Sequence, residues 1–444
     1  MTNQYSKTGE KVLEKCKKKN ADNADVIIIK NFTSYSSCRL GELEEIEQSE
    51  SKILGIRAFV GNKNAIISTS DFSESSINNS VEQVVQMAEL APDDPYSFIE
   101  EKENDESITN LDLYDSYELS AQELEDKAKE AENSALACVG IKNSNGASAS
   151  QSKSNYYIAN SKGFSGFYKK SNFSISCSVI AEKNGKMETD YDFDTKLHYK
   201  DLSDSKEIGK SCAKRVLDKC NPKKIKTCKA NIIFEPRVAR SIISHFSSAI
   251  SGSAIARKSS FLINEFGNKI MKNNIRIIDN PLLIRGLSSR PFDAEGVIGE
   301  EIDLVKDGVI LSWLLDNSTA KQLNMKTNGR ASRSVSSPPS PSPTNLYLEK
   351  GPLSPLDLIK DVNEGFYITD LVGQGVNMVN GDYSRGAVGF KIENGEITFP
   401  VNEITIADNL LNMFKKMTPA NDLSFNFGIN SPTLLIEDMT VAGI

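Results

Sequence analysis

Two histidines, seven cysteines and several closely spaced carboxylates are the side chains of this 444-residue sequence that could carry acid–base, nucleophilic or metal chemistry. His245 is the better placed histidine. It lies between Glu235 and Gly252, where Val238, Ile242, His245 and Ala249 recur at the i, i+4, i+7, i+11 spacing of one helix face. The imidazole therefore shares an apolar stripe, and core packing is the plain reading. The next residue is Phe246 rather than a carboxylate, and Ala249 and Ile250, a turn further on, supply no second ligand. His198 stands between Leu197 and Tyr199 at an expected strand edge, in an exposed or packing role. No Gly-x-Ser-x-Gly elbow occurs, so a serine triad would have to recruit one of these two imidazoles. The cysteines (16, 38, 138, 177, 212, 220 and 228) are odd in number and contain no CxxC pair, which excludes a disulfide framework and a zinc ribbon. Lysines near Cys212, Cys220 and Cys228 could lower a thiol pKa, but no histidine stands beside them, and inert thiols are expected.

The carboxylates form two groups. Asp190-Tyr-Asp192-Phe-Asp194 opens like a calcium loop, yet Thr195 replaces the turn glycine and Asp201 the bidentate glutamate. Strand alternation explains it better, with the aspartates outward and the aromatics inward. The run Arg285 to Val297 packs Arg290, Asp293 and Glu295 among turn-forming residues. Acids two residues apart on an extended segment point the same way and could act together on a ligand or metal. The preferred reading is an arginine–carboxylate network pinning a turn. Phosphate sites fail: Gly373-Gln374-Gly375 has Met378 where a fingerprint glycine should stand, and no P-loop lysine motif exists.

The elements that must position these residues are helices and strands segregated in runs. Helices are expected at Glu10–Lys19, Ile77–Leu90, Ser120–Ala137 (with a Ser120-x-x-Glu123 capping signal) and Ser205–Asp218. Strands are expected at Asp25–Lys30, Tyr35–Leu40, Glu42–Gln48, Ile53–Val60 and Ala65–Ser70, with turns at Asn31, Gly41 and Gly61–Asn64. Further strands are Tyr156–Ala159, Gly166–Lys170, Asn172–Ile180, Met187–Tyr191 and Ala230–Phe234. Asn143–Ser154 reads as a loop by composition or as a polar edge strand by alternation. An acidic connector (Glu100, Glu101, Glu103, Asp105, Glu106) precedes the third helix. Ser332–Thr344 carries four prolines and can be neither helix nor central strand. It is read as a mobile surface loop, in preference to a semi-rigid wall beside a groove. The fold class is α+β in two domains, 1–225 and 226–444. Antiparallel sheets carry flanking helices, and the C-terminal domain is mainly antiparallel β around the His245 helix.

Composition narrows the classes. A net charge of −8 argues against nucleic acid as main partner, since phosphate binding needs a basic face. The basic stretch Lys214–Lys229, with Lys219, Lys223, Lys224 and Lys226, is read as a solvated helix end and linker. No apolar run approaches the roughly 18 residues of a membrane span. The start, Met1 to Lys7, is polar rather than signal-like, and a cytoplasmic location is expected.

At Ser289-Arg290-Pro291-Phe292-Asp293-Ala294-Glu295-Gly296-Val297 the chain resembles the PmbA/TldD proteins, described as modulators of DNA gyrase. Other blocks follow in the family's order: Cys38–Glu44, Leu54–Val60, Ala159–Phe164, Gly381–Ala387, Glu393–Ile397 and Val441–Gly443. The resemblance covers nearly the whole chain and implies a heterodimeric metallopeptidase. Its TldD-like subunit carries His-Glu-x-x-x-His on a central helix and a late cysteine as zinc ligands, and its PmbA or TldE-like subunit is the homologous partner. Here the first position is kept as His245, while Phe246 and Ile250 replace the glutamate and the second histidine. The late cysteine-containing insert is missing too, as Asn426–Pro432 runs straight into the final strand. A zinc hydrolase needs about three protein ligands and a base to activate water. The resemblance therefore implies the PmbA/TldE type, with no catalytic or metal residue in this chain and zinc expected in a TldD-like partner. Extended peptides, small or unfolded, would be the substrates, with His245 near the floor of a shared groove. The alternatives are a stand-alone homodimeric peptide-binding protein and an autonomous hydrolase dependent on Asp293 or Glu295. A direct gyrase or DNA role is disfavoured by the charge.

Overall fold

The computed structural model describes residues 2–101 and 110–443. The connector residues Glu103, Asp105 and Glu106 lie outside them. In the first half the elements are α1 (Thr2–Lys18), β1 (Asn23–Arg39), β2 (Glu42–Val60), β3 (Lys63–Thr69), α2 (Glu74–Leu90) and α3 (Ala121–Leu136). They continue with β4 (Ile141–Asn160), β5 (Ser165–Lys183), β6 (Lys186–Lys196) and α4 (Ser205–Asp218). Among the described residues these strands form one six-stranded antiparallel sheet in the order β3-β2-β1-β4-β5-β6.

All four helices cover the same sheet face. Val26, Ile28, Leu54 and Ile56 meet α1 and α2, while Cys38, Ala147, Ala149, Phe173 and Ile175 meet α3 and α4. The helices start where their side chains supply acceptors to free backbone N–H groups. Ser120 and Glu123 close the expected capping box on α3, and the Asp204 carboxylate caps α4.

The sheet departs from the sequence expectation in strand length. Asn31 is not a turn: it pairs with Ser51 on one side and Ser154 on the other, so the two short strands expected around it are one. Asn143–Ser154 is neither loop nor edge but part of β4, bonded to β5 and, from Ala147 onward, to β1 as well. Its alternating small residues, Ala147 and Ala149, let α3 approach the sheet. The β1–β2 turn adopts positive φ at Leu40 and Gly41, and a fully buried Glu132 holds it by accepting both backbone N–H groups at 2.8 Å.

The second half contains β7 (Cys228–Phe234), α5 (Pro236–Ala249), α6 (Gly252–Ala256), β8 (Ile277–Asn280), β9 (Ile302–Lys306), β10 (Val309–Ile310) and α7 (Asn317–Gln322). There follow β11 (Ala331–Ser332), β12 (Ser340–Pro341), β13 (Asn345–Leu348), α8 (Pro355–Lys360), β14 (Glu364–Val372), β15 (Asp382–Glu393) and β16 (Glu396–Asn409). The chain ends with α9 (Leu410–Lys416), β17 (Met417–Pro419), β18 (Ile429–Asn430) and β19 (Leu434–Ala442). Strands β16-β15-β14-β7-β19 close into a barrel because β19 pairs back onto β16. A second sheet runs β10-β9-β8-β13-β18. Only β7–β14 and β13–β18 pair in parallel among the described strands. Helix α5 sits in the main core, with Ile242, Ile243 and Phe246 packed among residues of both sheets. The α+β class with antiparallel sheets and a central helix is what the structure has.

Two further expectations are corrected. In the 190–194 strand the faces are inverted: Asp190 and Asp194 are buried while Tyr191 is exposed. Buried cations make this possible, as Lys219 Nζ lies 2.8 Å and Arg237 Nη1 3.1 Å from Asp190, and Ser203 donates two hydrogen bonds to Asp194. Lys219 is thus not part of a solvated stretch but an interior countercharge.

Candidate functional site

Pro236 at the first turn pre-sets the φ angle of α5, and the stripe Val238, Ile242, Phe246 and Ala249 turns it into the core. His245 is half-buried beside that stripe. Its ring meets Tyr383 edge-on at 6.1 Å, and Nε2 is buried with no hydrogen-bond partner among the described residues. Burial, and then the Arg385 guanidinium, push its pKa down to about 4. The Tyr383 hydroxyl and Arg385 Nε are likewise buried without partners. Phe246 and Ile250 are both 0 % exposed, and Phe246 packs edge-on against Phe414 at 5.7 Å.

Zinc on this helix would need further nitrogen, oxygen or sulfur donors beside His245. The imidazole instead meets a phenol and feels a cation, and among the described residues no group of three His, Cys, Asp or Glu side chains could hold a metal ion. The residues present do not fit zinc.

The Arg290 block lies where the two halves meet. It is a closed turn rather than an extended segment. Asp293 Oδ1 accepts the N–H groups of Glu295 (2.8 Å) and Val297 (2.9 Å), and Oδ2 accepts that of Ala331 (3.0 Å). Gly296 supplies the positive φ of the turn, where Phe164 would crowd any Cβ. Glu295 Oε2 accepts the N–H of Asn317 at the start of α7. Burial, reinforced by the Asp293 charge, pushes Glu295 up to about 8. Burial also raises Asp293, against Arg290 and the three backbone donors. The carboxylates pin the turn through backbone amides, and Arg290 makes neither an ion pair nor a side-chain hydrogen bond among the described residues. Its Nε and Nη2 are buried without partners.

Beside this turn opens a cleft of about 410 Å³. The helix-free face of the first sheet contributes Ile27, Ile29, Tyr156, Ile158, Tyr168 and Lys170. Leu287 to Ala294 form the opposite side, and Ser332, Arg333, Ser342 and Pro343 form a wall. The proline-rich segment is therefore anchored as a wall rather than a free surface loop. Arg333 reaches Asp25 at 2.6 Å, and Val335 packs with Ile27, Ile158 and Phe292. The residues that sequence reasoning passed over are Lys170, Arg333, Asp25 and Arg57. The i, i+2, i+4 alternation of Gly166, Tyr168 and Lys170 was the available signal for Lys170. His198 is elsewhere, its Nε2 2.9 Å from the Asp112 carbonyl.

Sequence profiles of the PmbA/TldA metallopeptidases match this chain in three parts. Domain 1 matches residues 24–88, the central domain 114–219 and the C-terminal domain 227–443. The chain is 35% identical over 426 residues to metalloprotease PmbA of Escherichia coli O157:H7, covering 95% of this chain and 93% of that one. With the PmbA homologue of Haemophilus influenzae it shares 36% identity, covering 95% and 92%. A crystal structure from Bacteroides thetaiotaomicron, described as a modulator of DNA gyrase, superposes with a TM-score of 0.91 at 24% identity, covering 99% of both chains. TldE from Thermococcus kodakarensis superposes at 0.87 with 21% identity, covering 98% of this chain and 99% of that one, a likeness of fold. Full-length identity with the PmbA proteins and the three ordered matches place this chain in the PmbA/TldA metallopeptidase family.

Proposed function

We propose that this chain is the zinc-free, PmbA/TldE-type subunit of a two-subunit peptidase for small or unfolded peptides, working with a homologue that carries His-Glu-x-x-x-His. The observation that carries the reading is the state of α5. Where a zinc helix needs a base and a second ligand, Phe246 and Ile250 are wholly buried core residues. The subunit's part is to complete the groove and hold an extended peptide by strand addition, a mode that uses backbone hydrogen bonds. Strands β3 and β6 are the outer strands of the first sheet, and β6 is already engaged at the Tyr191 carbonyl by Arg237. No helix among the described residues is long and apolar enough to cross a membrane.

The test is zinc content and peptide hydrolysis, measured on this protein alone and after mixing with such a homologue. Turnover that chelators abolish, and that exceeds the homologue's own only after mixing, supports the proposal. Stoichiometric zinc with zinc-dependent turnover by this protein alone refutes it. Chelator-resistant turnover by this protein alone, lost in Asp293→Asn or Glu295→Gln, would assign it instead to the autonomous hydrolases.

A further inference from the structure

The cleft between the first sheet and the 287–294 turn is lined by more cations than carboxylates. Lys170, Arg290 and Arg333 all line it. Two carboxylates lie close by, and neither is ion-paired or hydrogen-bonded to Lys170 or Arg290, although the Arg290 charge lies near enough to oppose the rise in the Asp293 pKa. Asp25 is already shared by Arg57 and Arg333, and Asp293 spends both oxygens on backbone amides. Lys170 Nζ donates to the Leu287 carbonyl, its only hydrogen-bond partner among the described residues, and burial and then the neighbouring Arg290 hold its pKa down at about 8. Burial disfavours the charged form of a lysine, and a neighbouring cation adds to the effect.

The two arginines repeat one arrangement. On each, Nε and Nη2, the side of the guanidinium that grips a carboxylate with two parallel bonds, are buried without a partner among the described residues. The Arg333 side chain is only 3 % exposed. A buried donor left unmade costs about 1–3 kcal/mol, so two such forks in one cleft call for an acceptor. The remaining walls are apolar and aromatic. Tyr156 stacks on Tyr168 at 4.8 Å, Phe292 meets Tyr168 edge-on at 5.3 Å, and Ile27 and Leu287 stand beside them. A volume of about 410 Å³ admits one amino-acid-sized group with its carboxylate.

We propose that this cleft is a binding site for a carboxylate attached to an apolar or aromatic group, held by Arg290 and Lys170 with the Arg333 wall behind them. A free acylated amino acid and a peptide C-terminus share that chemistry. If the source is a peptide, the site extends the peptide-binding role proposed above. Carboxylate binding itself stands without that role and is measured without catalysis or a partner subunit.

The experiment is calorimetric titration of the full chain with N-acetyl-L-phenylalanine, its amide, inorganic phosphate, and one hexapeptide ending in phenylalanine as free acid and as amide. The acids are expected to bind at least about tenfold more tightly than the amides, the worth of one charge-assisted pair. Arg290→Gln should remove that preference while leaving Tm unchanged, since the Arg290 side chain makes no hydrogen bond among the described residues and its backbone bond to Pro281 is kept. Lys170→Met is the second variant, should the first fail to fold, and should weaken the acids in the same way. Lys142→Gln, an exposed charge distant in sequence from the cleft residues, should change nothing. A tighter hexapeptide acid assigns the source to peptide C-termini, and binding of the small acid alone assigns it to free acids; both support the carboxylate site. Equal binding of acid and amide, acid binding that survives both substitutions, or binding of phosphate alone overturns it.

Discussion

Writing a His-Glu-x-x-x-His pattern into α5, as Phe246→Glu with Ile250→His, should unfold the C-terminal half rather than create a metal site. Phe246 is 0 % exposed, in the main core and edge-on to Phe414. Losing a buried phenylalanine ring costs about 3–5 kcal/mol in comparable cores. The carboxylate put in its place would stay protonated, its pKa pushed up by several units. Keeping a glutamic acid of ordinary pKa near 4.3 protonated at pH 7 costs about 3–4 kcal/mol more. Together these approach the whole stability of a typical domain, about 5–15 kcal/mol. The second part depends on pH, because the unfolded glutamate ionises and the buried one does not. Destabilisation should therefore grow by about 1.4 kcal/mol per pH unit between pH 5 and 7. Urea unfolding followed by far-ultraviolet circular dichroism measures it, with Ser248→Glu on the exposed side of the same helix as the control for introducing charge. A double variant with the parent's urea midpoint and one tightly bound zinc per chain would show that the helix was never committed to the core.

Glu295→Gln should change how stability depends on pH. In the folded protein Glu295 holds its proton up to about 8, while an unfolded glutamate releases it near 4.3, so the parent loses stability as pH rises through that window. The glutamine variant should gain on the parent between pH 5 and 8, and parallel urea-midpoint profiles would contradict the assignment. Arg330 is wholly buried, with Nε bonded to Asp279 and the other nitrogens donating to the carbonyls of Asn328, Asp279 and Glu300. Arg330→Leu strands the Asp279 charge and should cost about 3–5 kcal/mol by urea unfolding; a loss below 1 kcal/mol would be inconsistent with that network. A Cβ on Gly55 would stand 2.1 Å from the Val335 carbonyl, so Gly55→Ala should push the proline-rich wall off the sheet. A loss of about 1–3 kcal/mol and faster protease cleavage within 332–344 are expected, and unchanged cleavage would argue against the contact.

The residues show why some of this was legible and some was not. Helix α4 spans Ser205–Asp218 as expected, and the Ser120–Glu123 box opens α3 where it should. Such signals act within a turn or two of chain, which is why one sequence suffices to read them. The continuity of β1 through Asn31 was not readable, because it is decided by partners twenty and more than one hundred residues away, Ser51 and Ser154. The inward face of Asp190 was hidden for the same reason, since its countercharges Lys219 and Arg237 arrive from other elements.

The candidate sites divide along the same line. That α5 is an amphipathic helix with one histidine and no adjacent carboxylate is written in Val238 to Ile250, because helix period and residue type are local properties. The α+β class follows likewise from the order of the elements. The junction cleft is a product of tertiary structure alone. Arg333 and Asp25 are separated by 308 positions, and Lys170 and Leu287 by 117. The charge left over in that space depends on which acids are already engaged by backbone amides and by other arginines. Local pattern chooses helix or strand, whereas the balance of buried charge is set only when distant segments are brought together out of water.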